Sequence, residues 1–129
     1  MKMNPFSAGA CGVEQAIGGT IKFNSAGGEV ALGTLPPGAI VTKTIANVKV
    51  VFNAATTNVL TVGTDAGRTN LAGAADIDEA AVALTRVEKA IAVAAATPVY
   101  AKYAQTGTAA TTGEADILVF FVRTPQNLG

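Results

Sequence analysis

Residues 35–64 read LPPGAIVTKTIANVKVVFNAATTNVLTVGT. The Pro-Pro-Gly at 36–38 predicts a turn, because proline fixes φ and glycine tolerates positive φ. The run 39–52 alternates loosely with a period of two, which indicates a long strand. We place six of its residues on one face: Ile40, Thr42, Thr44, Ala46, Val48 and Val50. Residues 53–58 break the pattern, and 59–62 predict a second strand as the partner of the first. The stretch has almost no reactive side chains, which favours a structural or interaction protein.

The last third of the chain predicts two more strands. Alternation begins at Pro98 and places Tyr100 and Tyr103 on opposite faces. Residues 114–123, EADILVFFVR, are the strongest strand in the chain, since they are rich in β-branched and aromatic residues. We expect alternate residues of this strand to face opposite ways, with Ile117, Val119 and Phe121 opposed to Leu118, Phe120 and Val122. Both faces are apolar, which predicts a strand central to a sandwich or covered by another subunit.

The remaining segments are less regular. Short strands at 20–23 and 29–33, joined by Asn-Ser-Ala-Gly-Gly, predict a hairpin. Residues 70–75 fit a short helical turn. Residues 78–96 fit either helix or strand, because their alanines favour helix while their valines and isoleucines suit a strand. We favour a strand at 90–95, and the part before it stays open.

These segments together predict an all-β fold, a single-domain β-sandwich or jelly roll with an extended N-terminal arm. At 129 residues the chain fits one domain. We place the arm at residues 1–16 and the sandwich at 17–129. The arm contains proline and glycine and has no clear period, with one helical turn expected around 13–17.

Composition excludes several classes of function. The chain has no histidine, which removes the commonest general base and metal ligand. Nine basic and nine acidic residues balance without a basic patch, which argues against nucleic acid and anionic membrane as partners. Residues 1–9 contain no apolar signal region, so we expect a soluble protein made in a cytoplasm. Low charge together with a mean hydropathy of +0.40 indicates a surface partly covered by other subunits.

The residues that could carry chemistry are few. Cys11 has no evident base beside it and cannot form an internal disulfide. Asp76, Asp78 and Glu79 could bind a hard cation through oxygen, but they lack the spacing of a calcium loop. We interpret them as a solvated turn, with Asp78 capping a following helix. The sequence therefore predicts no catalytic residue, no metal site and no cofactor, and we expect that the protein is not an enzyme.

Three stretches resemble small virion proteins of tailed bacteriophages. They are TLPPGAIVTKTIANVKVVFN, TNVLTVGTDAG and TPVYAKYAQTGTAATTGEADILVFFV, within residues 33–123. Similar proteins carry an LP-x-G turn, a strand ending near Phe-Asn or Phe-Asp, an L-x-V-G-T strand end and a closing G-x-A-x-V-x-V strand. Here Ile117 stands at the first valine position of that last pattern.

The resemblance implies a head cement or decoration protein that bridges neighbouring copies of the major capsid protein. It also implies a homodimer or homotrimer, a place on the outer surface of the capsid, and assembly in the host cytoplasm. We expect apolar residues at the start of the chain to contact the capsid or a neighbouring subunit: Met3, Pro5, Phe6, Val13 and Ile17. The alternatives are another virion component, such as a tail, head-fibre or adaptor protein, and a carbohydrate-binding β-sandwich.

Overall fold

The chain folds into two antiparallel β-sheets that pack against each other, as described by a computed structural model for residues 13–123. The strands in chain order are β1 (Gln15–Lys22), β2 (Glu29–Leu35), β3 (Ala39–Val50), β4 (Thr57–Gly63), β5 (Leu84–Val87), β6 (Ile91–Ala92), β7 (Thr97–Thr106) and β8 (Glu114–Arg123). A short 3-10 turn, Ala26–Gly28, joins β1 to β2. The predicted all-β sandwich is confirmed.

The order of the strands is that of a jelly roll. The first sheet runs β1-β8-β3-β5, with β6 also paired to β3, and the second runs β2-β7-β4. The first four strands alternate between the sheets, and the first and last strands are neighbours, as in a jelly roll. On the outer side of β4, Ala72 forms an isolated bridge with Val62. The loop after β4 therefore occupies the place where a fourth strand would complete the second sheet.

The core lies between the sheets and is built mainly from small aliphatic side chains. Its largest fully buried members include Ile21, Leu35, Leu60, Leu71 and Ile117. The rings of Phe52 and Tyr103 add an aromatic contact, with centroids 4.6 Å apart. The prediction that alternate side chains of β8 face opposite ways is confirmed, because Ile117, Val119 and Phe121 point inward and are buried. The sequence prediction that the two tyrosines lie on opposite faces is also confirmed, with Tyr103 inside.

Two predicted strand pairings are wrong. The expected hairpin of 20–23 with 29–33 does not form, because β1 pairs with β8 and β2 pairs with β7. The expected pairing of 39–52 with 59–62 does not form either, because β3 pairs with β8 and β4 pairs with β7. In both cases the connection arches from one sheet to the other. Turn residues suit an arch as well as a hairpin, so the local sequence does not distinguish the two.

The predicted face of β3 is correct only in its middle. Thr44, Ala46 and Val48 are buried, whereas Ile40 lies opposite Val122 on the outer face. The cause is a register shift between Val41 and Lys43 and a second one between Val48 and Val50. Each bulge adds one residue and so reverses the side to which the following residues point.

The uncertain segments are extended or irregular. No helical turn forms at 70–75 or at 13–17, where Gln15 already begins β1. The ambiguous 78–96 region holds β5 and β6, both on β3, and the strand expected at 90–95 is confirmed for Ile91–Ala92. Pairing with the edge of β3 decides these two strands, because their own propensities are divided.

Candidate interaction surfaces

The outer face of the first sheet carries a strip of apolar side chains. On β8 every second residue points away from the core, and the register sets Ile45 opposite Leu118 and Ile40 opposite Val122. Leu84 of β5 lies on the same face and is 70% exposed, and Leu118 is 41% exposed. We call these residues the outer apolar strip: Ile40, Ile45, Leu84, Leu118, Phe120 and Val122. Exposed apolar residues grouped in this way are typical of surfaces that another protein covers.

Ion pairs flank the outer apolar strip, and each charged group in them contacts a group of opposite charge. At one end, the Lys49 ammonium lies 2.8 Å from Glu114 and 3.2 Å from Asp116. The Thr20 hydroxyl donates to Asp116 at 2.7 Å. This hydrogen bond, together with the nearby Lys49 ammonium, lowers the pKa of the Asp116 carboxyl. Hydrogen bonds to the two carboxylates raise the pKa of Lys49, so Lys49 and Asp116 both stay charged at neutral pH. Each charged group at this end of the face therefore has a partner of opposite charge, and the cluster of one ammonium and two carboxylates keeps a net charge of −1.

A second ion pair borders the strip beside β1. The Lys43 ammonium lies 3.1 Å from Glu14 and 4.6 Å from the centre of the Phe120 ring. The Thr42 hydroxyl donates to Glu14 at 2.7 Å. This bond is the larger cause, and the Lys43 ammonium the smaller one, of the lowered pKa of the Glu14 carboxyl. The cation over the ring covers part of the Phe120 face. The strip is thus apolar in the middle and bounded by paired charges.

The outer face of the second sheet is different in character. The Arg68 guanidinium lies 4.0 Å from the centre of the Tyr100 ring and donates to Glu29 at 3.0 Å. Lys102 lies on the same face, opposite Glu29 and Thr61 in the neighbouring strands. This face is polar, and the ring that could have served as an exposed aromatic platform is covered by an arginine.

The contact residues predicted from the sequence are placed only in part. Met3, Pro5 and Phe6 lie outside the described residues. Val13, just before β1, is 38% exposed. Ile17 lies on the inner face of β1 and packs against the core. A contact role for all five stays a prediction. Sequence reasoning missed the outer apolar strip as a site, although the two apolar faces of 114–123 were its signal.

The acidic cluster does not converge on one point. Asp76 accepts from the Gly73 amide at 2.7 Å and pairs with Lys89 at 3.0 Å. Asp78 accepts from the amide of Ala80 and caps a turn rather than the predicted helix. Glu79 turns inward instead. Within residues 13–123, no group of three or more acidic, cysteine or histidine residues could hold a metal ion.

Helices long and apolar enough to cross a membrane are absent from residues 13–123.

Three solved structures contain chains with this fold. A chain in the acid-stable capsid structure of Helicobacter pylori bacteriophage KHP30 matches with a TM-score of 0.62 at 23% identity, over 84% of this chain and 86% of that chain. A chain in the capsid asymmetric unit of cyanophage Pam1 matches with a TM-score of 0.60 at 22% identity, over 88% and 86%. A chain in the capsid of Ralstonia phage GP4 matches with a TM-score of 0.53 at 20% identity, over 98% and 92%. At these identities the likeness shows a shared fold. No protein-family model and no curated protein matches the sequence.

Proposed function

We propose that this protein is a structural component of a bacteriophage virion, and that it decorates and cements the shell formed by the major capsid protein. The observation that carries the proposal is the fold: chains from three separate phage capsids share it over most of their own length. The proposed role is not enzymatic. The proposed location is the outer surface of the head, with assembly in the host cytoplasm.

The outer apolar strip is the proposed surface of contact with the shell. It presents Leu84 and Leu118 to solvent, and the charges around it are already paired within the subunit. A shell protein could cover this face without leaving a lysine or carboxylate unpaired, which is the main cost of burying polar surface. The polar face of the second sheet would then remain in water.

A cement protein must contact more than one subunit of the capsid at the same time. We propose that the protein acts as a homodimer or homotrimer and that residues 1–16 reach a neighbouring subunit. Linked contacts of this kind strengthen one another, because once one contact is made the others form at a high effective concentration. Individually weak contacts would then hold the shell against swelling and heat.

Binding to phage heads assembled without this protein tests the proposal. We expect saturable binding and a higher temperature of head disruption, measured by sedimentation of the heads and by release of their DNA. Leu84→Asp should weaken binding by about tenfold or more, because a buried unpaired charge costs more than about 1.4 kcal/mol. Ala31→Asp is the matched control, since Ala31 is an exposed residue of β2 opposite Tyr100 on the other outer face.

Failure to bind heads would contradict the proposal. Binding to isolated tails or fibres would support another virion component instead, and specific binding on a glycan array would support a carbohydrate-binding module. If Leu84→Asp and Ala31→Asp bound heads equally well, the shell would contact a different surface.

A further inference from the structure

Within residues 13–123 the two sheets have four edges, formed by β1, by β5 with the two-residue β6, by β2 and by β4, and three of these edges are protected. The edge of β4 is covered by the following loop, because the Val62 amide donates to Ala72 at 3.0 Å and the Leu60 amide donates to Glu79 Oε2 at 2.8 Å. β5 is only four residues long and carries Arg86. β2 is interrupted by a register shift after Ala31. Covering loops, charges, short strands and bulges are the devices that keep a sheet edge from pairing with another chain.

β1 has none of these devices. It pairs with β8 without a bulge along all eight residues, QAIGGTIK, which include no proline and a single charge at the end, Lys22. Among residues 13–123, no strand pairs with its other side. An unprotected edge of this length is suited to pairing with a further strand.

The backbone groups that face the open edge of β1 can be identified. The Phe23 amide donates to the Gly113 carbonyl at 3.0 Å, and these two residues continue the register of the β1–β8 pair. In an antiparallel pair, bonded and non-bonded positions alternate, so the odd-numbered residues of β1 bond to β8. The even-numbered residues face outward. The Lys22 amide confirms this, because it donates away from β8 to the Ser25 hydroxyl at 2.9 Å.

Three residues of β1 therefore direct amides and carbonyls to an edge where no strand within residues 13–123 pairs with them: Ala16, Gly18 and Thr20. If a second β1 ran antiparallel to the first, one register would use all three, with Gly18 opposite Gly18 and Ala16 opposite Thr20. Each of these facing pairs would exchange two backbone hydrogen bonds. A shift by two residues in one direction would set Ala16 opposite Lys22, whose amide and carbonyl already bond to Ser25. The opposite shift would set Thr20 opposite Glu14, which lies outside β1.

Charge favours the same register. The register with Gly18 opposite Gly18 sets Glu14 of one copy opposite Lys22 of the other, on the outer face of the sheet. Both side chains are accessible: Lys22 is exposed, and the Glu14 side chain is 40% exposed although it already contacts Lys43. Opposite charges directly across a pair of strands stabilise the pairing, and the twofold symmetry would make the contact twice.

Gly18 also gives the edge a suitable shape. A Cβ at this position would lie 2.5 Å from the Ile117 carbonyl oxygen and 2.7 Å from Cδ2 of Leu118, so no larger side chain fits. Leu118 instead leans over the glycine toward the edge. At a twofold axis through Gly18, the two Leu118 side chains would extend the outer apolar strip from one subunit to the next.

We propose that β1 pairs antiparallel with β1 of a second copy of this chain, about a twofold axis at Gly18, to form one continuous sheet across two subunits. The inference deepens the homo-oligomer part of the proposed function by naming its interface and symmetry. Its test needs only the purified protein, so its failure is distinguishable from failure to bind heads.

The first measurement is the mass of the full chain in solution by analytical ultracentrifugation over a range of concentrations. We expect a dimer, and we expect Ala16→Pro to raise its dissociation constant by about tenfold or more, because proline removes an edge amide. Ala16→Val is the control, since it keeps the amide at the same exposed position. Proline is tolerated where an edge amide faces solvent, and an unchanged melting temperature of the monomer would verify that the variant folds.

Cysteine cross-linking fixes the register. In a Cys11→Ser background, the double variant Ala16→Cys with Thr20→Cys should form a disulfide-linked dimer in a glutathione redox buffer. Facing residues in such a pair lie about 5.5 Å apart between Cα atoms, within disulfide range. Either single cysteine should fail to cross-link, because its symmetry mate would lie four residues along the strand, roughly 13 Å away.

Several results would overturn the proposal. These are a monomer at all concentrations, a dimer that Ala16→Pro leaves unchanged, and cross-linking of a single variant as efficiently as of the double variant. A dimer seen only after residues 1–12 are removed would mean that the chain's own first residues cover the edge, which also contradicts the proposal.

Discussion

At the scale of single residues, the buried polar contacts between β4 and the loop after it are the most informative. Glu79 is only 9% exposed, and its carboxylate accepts from the Leu60 amide. Nearby, the Tyr103 hydroxyl donates to Asn58, whose side chain also accepts from the Ala54 amide at 2.9 Å. The bond from Leu60 to Glu79 satisfies a buried amide and holds the loop in the place of the missing fourth strand of the second sheet. The Asn58 bonds tie the start of β4 to β7 and to the arch before β4.

Glu79 predicts a pH-dependent stability. Burial raises the pKa of its carboxyl above the ordinary 4.5, and the Leu60 amide offsets this only in part. Because the pKa of Glu79 is higher in the folded protein than in the unfolded chain, its protonated carboxyl favours the folded state. This contribution to stability is fully present below about pH 4.5 and is lost as the pH rises through the folded pKa. We therefore expect Glu79→Gln to be more stable than the natural protein at pH 7, because the amide oxygen still accepts from Leu60, with a difference that shrinks toward pH 4. Urea unfolding across this range measures it.

Two further variants make the test specific. Glu79→Ala should lose about 1–3 kcal/mol, because it leaves the Leu60 amide buried and unpaired. Asp78→Asn removes a neighbouring negative charge that also raises the Glu79 pKa, so it should reduce the difference between pH 4 and pH 7 only in part, because burial of Glu79 is unchanged. If Glu79→Gln were as destabilised as Glu79→Ala at every pH, the charge of Glu79 would be required for folding and the interpretation would be wrong.

At the scale of elements, the arch from β3 to β4 is locked to the loop between β7 and β8. The Asn53 side chain accepts from the amides of Thr111 and Thr112 at 2.8 and 3.0 Å. Phe52, 2% exposed, packs its ring directly over Gly113 at the start of β8. These contacts join four strands at one end of the sandwich, so they help to hold the two sheets in place.

Substitution of Gly113 should loosen this end of the sandwich. Gly113 has φ 148°, and a Cβ there would lie 2.3 Å from the Phe52 ring. We expect Gly113→Ala to lower the free energy of unfolding by roughly 2–4 kcal/mol, from backbone strain together with overpacking. The control is Gly27→Ala, which has φ 66° and no atom within 4 Å of the added Cβ, and should cost about 1 kcal/mol. Denaturant unfolding measures both, and equal losses would show that the Phe52 contact is unimportant.

At the scale of the whole molecule, the described core and strand pairings lie within residues 13–123. The buried hydrophobic residues run from Ile21 to Phe121. β1 is paired with β8 from Gln15 onward. The described core residues and the β1–β8 pairing therefore all lie after residue 12.

Deletion of residues 1–12 should separate folding from head binding. We expect the free energy of unfolding to change by less than about 0.5 kcal/mol, because no described core residue is removed. We expect occupancy on undecorated heads to fall, because the predicted arm contacts are lost. The two readouts are urea unfolding and quantitative gel analysis of sedimented heads. Unchanged occupancy would exclude an arm contact, and a large loss of stability would show that the arm belongs to the domain.

The class of fold and the main strands follow from the pattern of amino acids along the chain. Alternating β-branched and aromatic residues between proline and glycine turns are enough to define β3, β7 and β8, and β8 was predicted with its bounds at 114–123. Composition is equally plain, since the chain has no histidine, the commonest general base, and equal numbers of basic and acidic residues. These signals are local, because each depends on a residue's own conformational preference or on its immediate neighbours.

The tertiary structure alone decided which strands pair and which surfaces remain open. It set β1 against β8 and, through a bulge, turned Ile40 to the outer face. It also made two strands of the ambiguous 78–96 segment, both paired with the edge of β3. The outer apolar strip and the open edge of β1 both follow from that arrangement. A period of two says that a residue faces one side of a sheet, but only long-range packing decides what lies on that side.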